Sequence, residues 1–282
     1  MNGRWSQVVC RSGVIAVVLS VIVGACGGAS TTEPQVATNT TGTTTQVTPS
    51  AAGEPTSSTL EPAVATSELD PPAPSTPVEL LANELGQVPI LMYHQIGPEP
   101  EQFTRTPDQL RADLQWLYDH DFFVISMQDY LTNQIDIPAG KRPVILTFDD
   151  SPVSQFRLIP LADGKLAVDP NCAVGILERF FAEHPDFGRG GHFGLNTKRI
   201  FAWAPDADAS DQEPYVQLKL RWLLDNGYEL GNHTVDHANL AELTLGEVKE
   251  QLAVANDTIL ALVSDAQISV VTLPYGMYPP DE

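Results

Sequence analysis

Two groups of polar residues in this sequence have the types and spacing that a divalent metal site needs. Asp149 and Asp150 stand side by side directly after a short apolar run, residues 143–148. His233 and His237 are four residues apart, a spacing that places two imidazoles on one face of a helical turn. One carboxylate and two imidazoles suit a single divalent ion, and the second carboxylate would stay free as a base.

The apolar run before the two aspartates predicts a buried parallel strand. It is too short for a helix and too uniformly apolar for a strand with one face in water. In α/β folds, chemistry is placed at the carboxyl ends of such strands. Because side chains alternate across a strand, Asp149 and Asp150 are expected to point toward different partners.

Strand and helix patterns alternate through residues 78–282, which we interpret as the catalytic domain. Strands are predicted at 88–93, 122–125, 144–148, 191–196, 228–230 and 268–273. Helices are predicted from Pro107, from Ser126 to about 134, and at 173–183, 215–225 and 244–263. Residues 153–171 lack periodicity and are predicted to form a long loop. The alternation predicts a mainly parallel α/β sheet or barrel.

Residues 1–25 have the pattern of an export signal. Arg4 and Arg11 precede an apolar run, residues 13–23, that is short for a membrane-spanning helix. The run ends in small residues before Cys26, which resembles the lipobox of bacterial lipoproteins. An ordinary secretory signal cleaved nearby is the alternative. Both readings predict an exported protein, and the first predicts a membrane anchor through lipidated Cys26.

Residues 26–77 are rich in threonine, serine, proline, alanine and glycine. Such a segment has too few large apolar residues to offset its conformational entropy, so we predict a disordered tether. About 50 flexible residues have a root-mean-square reach of roughly 40 Å. The tether would hold the domain away from a membrane.

Charge and cysteine content exclude several classes of protein. The net charge is -21, of which -16 lies from residue 85 onward. Such a charge repels nucleic acid and anionic surfaces, so neither is predicted as a partner. The three cysteines do not suggest a disulfide scaffold. Cys172 is interpreted as a small packing residue.

Three ordered motifs resemble the polysaccharide deacetylases of NodB-homology type, carbohydrate esterase family 4. The family's Thr-Phe-Asp-Asp-Gly is represented by residues 147–151, with Ser151 in place of glycine. Its His-(Ser/Thr)-x-x-His is residues 233–237, and its Arg-x-Pro-Tyr-Gly is residues 272–276, with Thr272 in place of arginine. The resemblance covers residues 89–280, and residues 88–94 look like the opening strand of the branch with a Tyr-His pair.

The resemblance implies a distorted (β/α) barrel and metal-assisted removal of N-acetyl groups from an amino-sugar polysaccharide. Carried over by position, Asp150, His233 and His237 would hold a divalent ion, for which zinc is the expected choice. Asp149 would be the general base, and the backbone N–H of Tyr275 would stabilise the oxyanion. Three protein ligands leave an open position for water.

The departures from the family pattern leave a general acid unassigned. Thr272 removes a cation that would favour ionised Asp149. No histidine follows His237, so the family's late histidine has no counterpart, and we expect either a barrel incomplete at its C-terminus or another acid. His94 is the best substitute; a structural histidine is the alternative. Trp203 is a candidate sugar contact beside aromatic residues assigned to the core.

The sequence as a whole predicts an exported, lipid-anchored deacetylase that acts on N-acetylated polysaccharide at the cell envelope. A different class of function is the alternative: a catalytically impaired lipoprotein of the same fold that binds metal and glycan. A chain that folds poorly for want of its last strands is a further reading.

Overall fold

The structure is a computed structural model, and it describes residues 86–279. The predicted signal (1–25) and tether (26–77), with Cys26, lie outside the described residues. None of the helices between residues 86 and 279 combines the length and the hydropathy that a membrane crossing requires.

Strands and helices alternate along the described chain. The strands are β1 (Ile90–Tyr93), β2 (Gln95–Ile96), β3 (Thr104–Arg105), β4 (Phe122–Val124), β5 (Arg142–Phe148), β6 (Leu158–Pro160), β7 (Leu166–Val168), β8 (His192–Leu195) and β9 (Glu229–Asn232). The α-helices are α1 (Pro107–Asp119), α2 (Met127–Thr132), α3 (Ala173–Glu183), α4 (Val216–Asp225) and α5 (Leu245–Leu262). Short 3₁₀ turns cover Ser210–Tyr215, Leu240–Glu242 and Pro274–Gly276.

The main sheet is built around β5. Its strands run in the order β1-β5-β8-β9, and β4 pairs with the first half of β5. Every pairing in this sheet is parallel. The predicted α/β fold with parallel strands is therefore confirmed, and the strands among residues 86–279 form an open sheet rather than a closed barrel.

Burial on both faces explains why β5 is a continuous apolar run. Its side chains from residue 143 to residue 148 are all buried, because helices cover the sheet. α1 buries Leu110, Leu114 and Leu117 along one face. Burial of each contributes about 1.5–3 kcal/mol to the free energy of folding. Cys172 is a buried free thiol at the start of α3, which fits the packing role predicted for it.

Local capping residues set where the helices begin. Thr106, Ser126 and Thr244 each accept a hydrogen bond from the backbone N–H three residues on, and each forms a capping box. These helix starts were all predicted from the sequence.

Two predicted elements differ from the structure. Residues 153–171 contain an antiparallel hairpin, β6 paired with β7, rather than a plain loop. Its turn uses Asp163-Gly164, with Gly164 at φ 80°, a two-residue signal that favours hairpins. Residues 268–273, predicted to be a strand, pair with β9 through a single parallel bridge between Asn232 and Val271. One bridge is too little pairing to form a strand.

His192, the first residue of β8, is almost completely buried. Its side chain is 1% exposed, and neither ring nitrogen has a hydrogen-bond partner among the described residues. Burial disfavours the charged imidazolium and lowers the pKa of His192 from 6.5 to about 4.

This buried histidine predicts a loss of stability in mild acid. The unfolded chain binds a proton at His192 below about pH 6.5, whereas the folded chain does so only below about pH 4. The free energy of unfolding should therefore fall by about 3 kcal/mol as the pH drops through this window. Urea unfolding of the wild type and of His192→Gln isolates this contribution from that of the carboxylates. If the free energy of unfolding depends on pH equally in the two proteins, His192 makes no such contribution.

Candidate metal centre

The two aspartates extend β5 and then leave the sheet. Asp149 donates its backbone N–H to Tyr93 O over 2.9 Å, which continues the ladder with β1. Asp150 follows in the left-handed region, at φ 74°. The left-handed backbone at Asp150 and the alternation of side chains along the strand direct the side chains of Asp149 and Asp150 to different partners. Asp149 points into the protein, toward Gly194 and Thr272.

Ser151 completes the turn in a conformation that glycine adopts more readily. Its φ is 48°, and its side chain is buried. The hydroxyl accepts from the Asn196 N–H over 3.2 Å and donates to the Asn196 carbonyl over 3.3 Å. Two hydrogen bonds to the end of β8 thus offset the strain of the left-handed backbone.

Residues 201–203 hold the same turn from outside. The Phe201 N–H donates to Ser151 O over 2.8 Å, and the Trp203 indole N–H donates to Asp150 O over 3.0 Å. The buried ammonium of Lys219 donates to Phe201 O over 2.9 Å. Trp203 therefore supports the backbone of the aspartate turn, and its role as a sugar contact stays a prediction.

The histidine segment is an irregular loop after β9, not the helical turn expected from the four-residue spacing. Thr234 and His237 have φ values of 65° and 61°. The Thr234 N–H donates to Asn232 Oδ1 over 2.8 Å, and the Val235 N–H donates to the Gln251 side chain over 3.0 Å. Two left-handed residues, rather than helical periodicity, turn both imidazoles toward one point.

Asp150, His233 and His237 form a three-residue cluster with the geometry of a metal site. Asp150 Oδ1 lies 3.1 Å from His233 Nε2 and 3.1 Å from His237 Nε2. One ligand atom from each residue lies within 4.8 Å of the other two. Ligand atoms bound tetrahedrally to zinc at about 2.0–2.2 Å stand roughly 3.3–3.5 Å apart. The residues therefore fit a divalent ion of this size.

Charge in the cluster also favours a cation. Burial alone would raise the pKa of Asp150, but hydrogen bonds from His233 and His237 outweigh it and hold that pKa well below its usual range. Burial would lower the pKa of His233, yet the carboxylates of Asp150 and Asp149 raise it. An ionised carboxylate facing two imidazole nitrogens is stabilised by positive charge between them.

The backbone carbonyl of Thr272 sets the tautomer of His233. It lies 2.8 Å from His233 Nδ1. A carbonyl oxygen only accepts hydrogen bonds, so Nδ1 must carry a hydrogen. Neutral His233 would then keep its hydrogen on Nδ1 and offer the Nε2 lone pair to a bound metal.

Asp149 is an almost buried carboxyl group, 3% exposed. Burial raises its pKa, while the charges of His233 and His94 and a hydrogen bond from Thr272 oppose that rise. Its Oδ1 atom has no hydrogen-bond partner among the described residues. A carboxylate with a raised pKa next to a metal cluster is suited to accept a proton.

His94 lies at the carboxyl end of β1, within electrostatic reach of both aspartates. Burial lowers the pKa of this ring, and the charges of Asp149 and Asp150 oppose the shift. The Gln155 amide donates to His94 O over 2.8 Å and to Asp149 O over 2.5 Å, which ties the ends of β1 and β5 together. His94 therefore belongs to the site region, and its role as an acid stays a prediction.

Tyr275 stands at the open edge of the cluster. Its side chain is 69% exposed, and its ring packs edge-on against His237 with ring centroids 4.6 Å apart. Its backbone is left-handed, with φ 57°. The Tyr275 N–H has no hydrogen-bond partner among residues 86–279, so it is available as a donor at this edge.

Sequence reasoning missed Gly194, in the middle of β8. A Cβ atom there would lie 2.5 Å from Asp149 Oδ1 and 2.4 Å from Thr272 Oγ1. Glycine is therefore needed for these two side chains to approach β8. The available signal was a glycine inside a strand pattern, which marks close approach of other groups. The four phenylalanines assigned to the core are buried: Phe180, Phe181, Phe193 and Phe201.

A family model and several solved structures resemble this chain. The family model described as polysaccharide deacetylase matches residues 201–281. That segment contains both histidines of the cluster and Tyr275, whereas Asp149 and Asp150 precede it.

Among solved structures, a deacetylase of Streptococcus pyogenes in complex with acetate is 20% identical, with a TM-score of 0.49 over 68% of this chain and 75% of that one. IcaB from Ammonifex degensii is 17% identical, with a TM-score of 0.49, and the match covers 68% of this chain and 76% of IcaB. A polysaccharide deacetylase from Bacillus cereus is 16% identical, with a TM-score of 0.48 over 68% of this chain and 52% of that one.

The contacts of Ser151 predict an order of stability for two variants. Ser151→Ala keeps the strained Cβ and loses both hydrogen bonds to Asn196, so it should cost about 1–2 kcal/mol. Ser151→Gly loses the same bonds but relieves the left-handed backbone, so it should be more stable than the alanine variant by about 1 kcal/mol. Urea unfolding measures both. An alanine variant as stable as the glycine variant would show that the backbone strain is negligible.

Proposed function

We propose that this protein is a metal-dependent hydrolase that removes N-acetyl groups from an amino-sugar polysaccharide. The observation that carries the proposal is the Asp150, His233 and His237 cluster, with buried Asp149 beside it. These groups follow β5 and β9, which flank β8 in one parallel sheet, so they share the edge where α/β enzymes place their chemistry. The family-model match over residues 201–281 supports this class of reaction.

Asp150, His233 and His237 would hold the metal, and we propose zinc because one carboxylate and two imidazoles are typical of catalytic zinc sites. A zinc ion there would acidify a bound water and polarise the amide carbonyl. Asp149 is proposed to accept the proton from the attacking water. Its raised pKa brings it closer to neutral pH than an exposed aspartate.

Two further groups complete the proposed chemistry. The Tyr275 N–H is proposed to donate to the amide oxygen as that oxygen gains negative charge. The departing amine needs a proton, and His94 is the proposed donor. It lies at the end of β1, where burial opposes its protonated form and the charges of Asp149 and Asp150 favour it.

The proposed setting is the cell envelope, where Cys26 would carry a lipid anchor. Support comes from the lipobox-like pattern that precedes Cys26 and from the polar composition of residues 26–77. The net charge of -21 is compatible with a neutral polymer that becomes cationic as it loses acetyl groups.

A glycan-binding lipoprotein with impaired turnover is the second candidate. It is favoured by Thr272, which stands where an arginine would otherwise support the base. Both readings share the metal cluster, so acetate release separates them.

Removal of one ligand should weaken metal binding strongly. His233→Ala should lower zinc affinity by more than about 100-fold, because loss of a group that only supports a ligand already costs 10–100-fold. His120→Ala is the matched control, since His120 is exposed and bonded to Trp116 on α1. Zinc titration of the protein measures both. Wild-type affinity in His233→Ala would contradict the assignment of the cluster.

Acetate release from N-acetylglucosamine oligomers tests the activity itself. The zinc-loaded protein should release acetate, and a chelator should abolish the release. Asp149→Asn should keep the metal and lower the rate by at least about 100-fold, the usual contribution of a general base.

Other outcomes redirect the proposal. Zinc binding and glycan binding without acetate release would favour the second candidate. Loss of zinc in Asp149→Asn would mean that Asp149, not its neighbour, is the metal ligand.

A further inference from the structure

Thr272 touches two functional groups that have no direct bond to one another. Its carbonyl oxygen and its hydroxyl oxygen each lie 2.8 Å from His233 Nδ1. The same hydroxyl and Asp149 Oδ1 lie next to one another beside Gly194, where a Cβ atom would be 2.4 Å from the first and 2.5 Å from the second. The hydroxyl also opposes the rise of the Asp149 pKa. Thr272 therefore stands between a ligand of the metal cluster and the proposed base.

The direction of these hydrogen bonds follows from the chemistry of each group. Nδ1 of His233 must carry a hydrogen, because the Thr272 carbonyl facing it can only accept. With that hydrogen in place, Nδ1 has no lone pair to offer the Thr272 hydroxyl. The hydroxyl oxygen can then only accept from Nδ1, and its own hydrogen is free to point to Asp149.

The backbone around Thr272 fixes this arrangement. The Thr272 N–H donates to Asn232 O over 3.0 Å, directly before His233. On the opposite side, Gly194 leaves the space in which the Thr272 hydroxyl and the Asp149 carboxylate lie. Threonine also has a restricted χ1 torsion, so little conformational freedom remains for the hydroxyl.

We propose that Thr272 is a positioning residue that couples the metal ligand His233 to the base Asp149 through its hydroxyl group. The hydroxyl accepts from His233 Nδ1–H and donates to the Asp149 carboxylate. The contribution to turnover rests on the proposed function, whereas the contribution to the state of His233 does not.

Two substitutions separate the hydroxyl from the shape of the side chain. Thr272→Val keeps the branched shape and removes the hydroxyl, whereas Thr272→Ser keeps the hydroxyl. In the valine variant, kcat should fall by about 10–100-fold and KM should change by less than about twofold. The reason is that the Thr272 hydroxyl acts on the base Asp149 and not on the substrate. The serine variant should recover kcat to within about threefold of wild type.

Zinc titration and nitrogen-15 NMR of the histidines provide readouts beyond activity. Zinc affinity should change little in Thr272→Val, because the backbone carbonyl still holds His233 Nδ1–H. The Nδ1–H resonance of His233 should shift in the valine variant and return in the serine variant. Thermal unfolding confirms that both variants are folded before the comparison.

The outcomes keep this proposal distinct from the proposed function. If the wild type binds zinc but releases no acetate, the proposed function fails, and the His233 resonance still decides the role of Thr272. Wild-type kcat in Thr272→Val would overturn the coupling. A serine variant with a kcat as low as that of the valine variant would also overturn the coupling. The same holds if the His233 Nδ1–H resonance is unchanged in Thr272→Val.

Discussion

A buried carboxylate needs compensating positive charge, and the arrangement of this site follows from that need. Asp150 is mostly withdrawn from water, and its ionised form is favoured by two imidazole nitrogens 3.1 Å from one oxygen atom. Removal of either partner would leave a charge without compensation in a poorly solvated position. The carbonyl of Thr272, which fixes the hydrogen on His233, and the turn that presents Asp150 both serve this electrostatic requirement.

Strained backbone is concentrated where the charged groups meet. Among residues 86–279, eight residues other than glycine have positive φ, and six of these carry the site or hold it in place: Asp150, Ser151, Phe201, Thr234, His237 and Tyr275. Each such conformation costs of order 1–3 kcal/mol and persists only where surrounding contacts impose it. Hydrogen bonds from β8, from residues 201–203 and from α5 supply those contacts. The fold stabilises a local geometry that the chain would not adopt alone.

Regular elements were predictable from sequence because periodicity and capping encode them directly. The buried β5 strand and the helix starting after Thr106 are clear examples. The convergence of the aspartates and histidines followed from their positions after parallel strands. The irregular histidine loop did not, because the four-residue spacing suggests a helix while left-handed residues act instead. Thr272 was first interpreted as a missing cation; its hydroxyl becomes meaningful only when tertiary contacts place it beside Asp149 and His233.

The position of β8 between the ligand-bearing strands has an evolutionary consequence. Neighbouring strands are about 4.8 Å apart, so β5 and β9 are separated by roughly twice that distance, and groups from both meet over the intervening strand. Gly194 on β8 contributes no ligand and no proton, yet a single methyl group there would collide with Asp149 and Thr272. Selection on the proposed reaction would therefore also act on β8, at a glycine that contributes no polar side chain.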